Sequence, residues 1–187
     1  VFSKGGMFKS GKKVWEDHMV CWIPASISID GFMETWVPRI QAGYNKDYAK
    51  LWGSQKKGSH TAKASVGNEW VVMYVGSRET DNGVIPNSRD KRWDDQVAVF
   101  NEYNRQAGGV YEMPEVQPVA ISTLVRYIKT GDRILSDSPY TEARCNELET
   151  ESQSRLMLGL FDSDGLCVDD DDYDNDNVGA AGLRKFL

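Results

Sequence analysis

The sequence predicts an α+β fold, a mixed or antiparallel sheet with two or three helices packed against it, and three observations lead there. Residues 69–77, EWVVMYVGS, contain the longest apolar run in the chain, with β-branched Val71, Val72 and Val75 beside aromatic Trp70 and Tyr74. Gly67 and Gly76 punctuate its ends, so it reads as a central strand covered on both faces, with Trp70 and Val72 in the core. Residues 118–130 place Ile121, Leu124, Val125 and Ile128 at helical spacing ahead of Gly131. Residues 94–107 do the same with Val97 and Phe100 ahead of Gly108 and Gly109, and a glycine just past such a stripe is the usual helix stop. With 187 residues, 40% of them hydrophobic, the chain has material for one well-filled core.

Taken in order, residues 1–13 hold four lysines, three glycines and no acid, and read as a basic arm. Residues 14–23 alternate, with Met19, Cys21 and Ile23 on one face and His18 and Trp22 on the other, which makes a strand that Pro24 ends. Asp30 is placed to cap a helix through Phe32 and Trp36 that Pro38 shortens, and residues 45–52 suggest a further turn of helix closed by Gly53. Residues 78–93 include Asn82-Gly83 and Pro86 without apolar periodicity, so a long exposed loop is expected there. Asp94 or Asp95 opens the next helix, residues 110–113 are extended, and Ser138-Pro139 has the cap and first-turn proline of a helix running to about Leu160. Within that helix Glu151 and Arg155 form a favourable i,i+4 pair. Residues 162–177 carry eight aspartates, a density that opposes compaction. The expected organisation is therefore a single α+β domain over residues 1–161, with the basic arm at its front, and an acidic C-terminal tail over residues 162–187.

Charge is unevenly divided. Residues 1–63 carry 10 Lys/Arg against 5 Asp/Glu, residues 64–161 carry 10 against 15, and residues 162–187 carry 2 against 8, giving +5, −5 and −6 in a chain whose net charge is −6. A uniform acidic coat would not polarise the molecule from a basic front to an acidic back. The longest wholly apolar run, residues 70–75, is far short of the roughly 20 residues a membrane-spanning helix needs, so no membrane association is expected. Cys21, Cys145 and Cys167 are odd in number and form no C-x-x-C pair. That pattern points to neither a disulfide framework nor a zinc site, and to a reducing intracellular compartment or a virion.

Motifs that carry chemistry are incomplete. Residues 6–13, GMFKSGKK, follow the phosphate-loop spacing until Lys13 takes the place of the Ser or Thr that holds magnesium, and a strand-like segment follows where a helix is required. Residues 53–60 lack the lysine after the second glycine. His18 and His60 have no second histidine at ligand spacing. Asp94-Asp95 and Glu147 with Glu149 are better explained by helix capping and solvation than as nuclease ligands, because no acid stands two residues before a lysine. Asp172, Asp174 and Asp176 have the spacing of half a calcium loop, but Asn177 replaces its glycine and Leu183 its final glutamate. No metal, no cofactor and no catalytic residue is therefore expected.

What remains is the charge layout. A basic front formed by Lys9, Lys12, Lys13, Lys56 and Lys57, facing an acidic back at Asp169, Asp170, Asp171 and Asp172, suits head-to-tail association of copies in a virion or other large assembly. Nine aromatics share residues 1–63 with the ten basic residues, so the alternative is a single-stranded nucleic-acid-binding protein whose acidic tail competes for the basic patch.

Overall fold

The computed structural model describes residues 17–24, 27–35, 37–38, 51–52, 69–77, 79–149, 152–163, 165–170 and 176–186. They form an α+β fold of two sheets and three helices. The strands are β1 (His18–Ile23), β2 (Leu51–Trp52), β3 (Glu69–Tyr74), β4 (Glu142–Leu148), β5 (Arg155–Gly159), β6 (Leu166–Asp170), β7 (Val178–Ala180) and β8 (Leu183–Phe186). The helices are α1 (Ile29–Thr35), α2 (Trp93–Gln106) and α3 (Val116–Thr130).

The apolar run around Val72 becomes β3, the middle strand of an antiparallel sheet ordered β1-β3-β8. The second sheet is mixed, ordered β2-β6-β5-β4-β7, with β2 parallel to β6 and β4 parallel to β7. Helix α3 lies between them, against β1 and β3 on one side and β4 and β5 on the other. Its residues from Val116 to Leu124 are all buried. Its first half is covered on all sides, so small polar residues, Ser122 and Thr123, and Gln117 are buried there together with the apolar ones. Gly131 ends it in the left-handed conformation, φ 77°, with its N–H bonded to the Tyr127 carbonyl, the expected use of glycine at that position. At the other end the Val116 N–H is taken by the Glu147 carboxylate of β4 at 2.6 Å. Helix α1 is capped by Ser28 rather than Asp30, the Ser28 hydroxyl accepting from the Gly31 N–H at 3.0 Å.

Three sequence expectations are corrected. The helix expected over residues 138–160 is the antiparallel pair β4 and β5, with Glu142 opposite Gly159 and Leu148 opposite Arg155. Strand pairing between buried neighbours outweighs helix propensities of a few tenths of a kcal/mol per residue. The loop expected to be exposed over residues 78–93 is packed instead: Asn82, Val84, Ile85 and Ser88 have no exposed surface. Asn82 donates to Ser136 Oγ, the Pro139 carbonyl and Thr141 Oγ1, which ties the loop to the start of β4.

The third correction concerns the expected acidic tail. Beyond residue 161 the described chain makes β6, β7 and β8, each paired to strands that precede it. Leu166, Val168, Val178, Ala180, Ala181 and Leu183 are core residues. No boundary at residue 161 separates two packing units among the described residues, because β3, β4 and β5 would each lose a partner if it did. The helix expected over residues 45–52 is described only at 51–52, where the chain is strand. The aspartate run at residues 171–175, with it most of the half calcium loop, lies outside the described residues.

Candidate functional site

Of the residues expected to meet a partner, Lys9, Lys12, Lys13, Lys56, Lys57, Asp171 and Asp172 lie outside the described residues. Asp169 and Asp170 are the last two positions of β6, which is held between β2 and β5. Asp169 is opposite Met157 and Asp170 opposite Leu156, and both carboxylates are half-buried. The Asp169 carboxylate accepts from the Asp170 N–H at 2.9 Å, and the Asp170 carboxylate from the Ser152 hydroxyl at 2.6 Å. The acidic end of the molecule therefore begins on a fixed strand. Its neighbour Cys167 has its thiol pushed up to about 12, first by burial and then by the negative charges of Asp169 and Glu142, so it is a protonated core residue at neutral pH.

A second feature is the outer face of the β1-β3-β8 sheet. Strand alternation sends Cys21, Ile23, Val71, Met73 and Leu183 into the main core, and the intervening residues to the opposite side. Register then builds three rows across that side: His18 opposite Tyr74; Val20 opposite Val72, which faces Arg184; and Trp22 opposite Trp70, which faces Phe186. The His18–Tyr74 end is covered. Tyr74 packs with Phe100 of α2 and with Tyr111, and Tyr103 borders the same cluster. The Tyr111 hydroxyl is hydrogen-bonded to His18 Nε2, and the Tyr74 hydroxyl donates to Asp81 at 3.0 Å.

Burial raises the pKa of all three phenols. For Tyr74 the negative charge of Asp81 adds to it, and Tyr111 is pushed up to about 12 although Arg184 opposes the shift. All three phenols remain protonated at neutral pH, and α2 meets the sheet here mainly through the packing of Phe100 and Tyr103 on Tyr74 and Tyr111.

The other end of the face is open. Val20 is 45% exposed, Trp22 39% and Trp70 52%, and the two indoles meet edge to face with centroids 5.2 Å apart. This corrects the expectation that Trp70 belongs to the core, whereas Val72, two residues on, is buried as expected. Trp22 was assignable to the polar face of its strand by alternation alone. Its meeting with Trp70 was not, since nothing local states which residues face each other across the 46 residues between β1 and the tryptophan of β3.

A third polar cluster has a structural role. Arg89 donates to the carbonyls of Asp81 and Asn177 at 3.1 Å and to Thr141 Oγ1 at 2.9 Å, joining the packed loop to the starts of β4 and β7. Among the described residues no three His, Cys, Asp or Glu side chains are grouped to hold a metal ion, and no helix is long and apolar enough to cross a membrane. No protein-family model, curated protein or solved structure matches this chain.

Proposed function

We propose that this chain is a non-enzymatic structural subunit whose copies associate head to tail, in a virion or another large assembly. The basic front, with Lys9, Lys12, Lys13, Lys56 and Lys57, meets the acidic back of the next copy at Asp169, Asp170, Asp171 and Asp172. The observation that carries this reading is the placement of Asp169 and Asp170 at the end of a strand paired on both sides. An acidic cluster on a rigid element presents charge in one fixed direction, and complementary charge sets the orientation and rejects wrong pairings. A front that meets a different surface on the next copy is a heterologous contact, which generates rings or filaments rather than closed dimers.

The test is solution mass by light scattering at low and high salt. Lys9→Glu, Lys12→Glu and Lys13→Glu together should weaken the oligomers. Adding Asp171→Lys and Asp172→Lys should restore them in part, and these positions leave the hydrogen bonds of Asp169 and Asp170 in place. A monomer at low salt, or oligomers indifferent to the lysine changes, refutes the proposal.

A further inference from the structure

We propose that the cationic end of α3, where Arg133 and Lys129 stand, is the receptor for the aspartate-rich segment that begins at Asp169, supplied by a second copy of the chain. The inference rests on the head-to-tail reading, and it adds to the lysines of the front a cation held in one fixed position.

Arg133 is the first argument. Its guanidinium lies over the rings of Tyr127 and Phe161, 5.1 and 5.7 Å from their centroids, and donates to the Tyr127 hydroxyl at 3.3 Å. Both rings are buried and meet edge to face at 4.9 Å, so the guanidinium rests on the core. No carboxylate pairs with Arg133 among the described residues. Asp132 is bonded to Arg126 at 3.1 Å, and Asp162, beside Phe161, accepts from the Gly165 N–H at 3.2 Å. The Tyr127 hydroxyl takes one of the five N–H donors of the guanidinium, and the Nε–H is enclosed without an acceptor. Three donors remain on the terminal nitrogens, in the planar fork that suits a carboxylate. Lys129, exposed in the last turn of α3, likewise has no carboxylate partner among the described residues. Cations at that end of a helix complement its partial negative charge, which accounts for Arg126 and Lys129 but not for Arg133, which lies beyond the helix.

Register supplies the occupant. In the β5–β6 pair Gly159 is opposite Cys167, and Leu156 is opposite Asp170. Phe161, with Arg133 upon it, follows the Gly159 end, whereas Asp169 and Asp170 close the other end. At about 3.3 Å per residue the two ends are roughly 15 Å apart. Asp169 and Asp170 are therefore beyond direct reach of the Arg133 of their own copy. A second copy displaced along the strand direction brings the acidic end of one to the cationic end of the next, and such a heterologous contact can repeat without limit. Opposite charges at the two ends also reject the reversed arrangement, in which like would meet like.

The experiment titrates the full chain into a dye-labelled peptide of residues 169–176, DDDDYDND, and reads fluorescence anisotropy at low salt. The native chain should bind it, and a peptide with its six aspartates replaced by asparagine should not bind. Arg133→Gln should weaken binding about 10- to 100-fold, the range that loss of one charge-assisted hydrogen bond implies. Arg133→Lys should fall between, since an ammonium keeps the charge but not the fork, and Lys129→Gln should weaken binding by a smaller factor. Because Lys129 is exposed, Lys129→Gln should melt with the native protein, which keeps the site testable if Arg133→Gln loses stability with its packing on Tyr127 and Phe161.

Absence of peptide binding at low salt overturns the proposal, and so does binding unaffected by Arg133→Gln and Lys129→Gln, or equal binding of the asparagine peptide. Inorganic phosphate bound more tightly than the peptide would assign the cations to another ligand and overturn it equally. The two ideas fail separately. Oligomers that weaken with the lysine changes but are indifferent to Arg133→Gln uphold the head-to-tail reading and refute this site. A monomeric chain that binds the peptide through Arg133 refutes the assembly and leaves the acidic-peptide site in place.

Discussion

Leu183→Ala tests most directly whether the acidic C-terminal region belongs to the fold. Leu183 has no exposed surface, sits in the main core and is paired with Met73 of β3. Its backbone also exchanges two hydrogen bonds with Glu112, at 2.8 and 3.1 Å. Truncating a buried leucine costs about 2–5 kcal/mol, the spread reflecting how far the site can collapse. Here β8 is pinned by β3 on one side and by Glu112 on the other, so little collapse is available and the upper half of that range is expected. For a domain of this size each kcal/mol moves Tm by about 2–4 °C, so a loss of about 3–5 kcal/mol lowers Tm by about 6–20 °C. Circular-dichroism melting and urea unfolding measure it, with the midpoint falling and the slope unchanged. Leu148→Ala serves as control, since Leu148 is 41% exposed and its truncation should cost about 0.5 kcal/mol or less. A Leu183→Ala protein that melts with the native chain would mean that residues beyond 161 do not support the core.

Asn82→Asp should destabilise by about 3 kcal/mol or more at neutral pH, because a carboxylate would replace a buried amide that donates to three oxygens and would stand uncompensated. Its folded pKa should lie above the ordinary 3.9, so the deficit should shrink as the carboxyl protonates. Urea unfolding at about pH 5 and pH 7 should show the larger gap at pH 7, and equal gaps would refute the reasoning. Alkali should weaken the native protein too: burial raises Cys21 from 9.0 to about 11, Cys167 from 9.0 to about 12 and Tyr111 from 10.0 to about 12. A raised folded pKa contributes stability that is complete below the unfolded value and is lost as pH climbs through the folded one. Tm should therefore hold to about pH 8 and fall above about pH 9, and a thiol reagent at about pH 8 should label the folded chain far more slowly than the unfolded chain.

The elements legible before folding are those whose signal is local. Helix α3 is legible from Ile121, Leu124, Val125 and Ile128 and its stop at Gly131. Strands β1 and β3 are legible from alternation and β-branched composition, and the α+β class follows from finding both kinds of segment. The pair β4 and β5 was not legible because Glu142, Ala143, Arg144 and Cys145 are buried in succession, which erases the alternation that would mark a strand. The buried Arg144 guanidinium, which donates to the Lys91 carbonyl at 3.0 Å, reads in isolation as a surface charge. In the C-terminal region the density of aspartates hid Leu166, Val168, Val178 and Leu183, whose strands acquire partners only when distant segments return. The candidate site divides the same way: composition places charge along the chain, but Trp22, Trp70 and Arg184 come from three separate strands. Only the register of β1, β3 and β8 sets them on one face, because strand pairing is a long-range contact that local preferences do not encode.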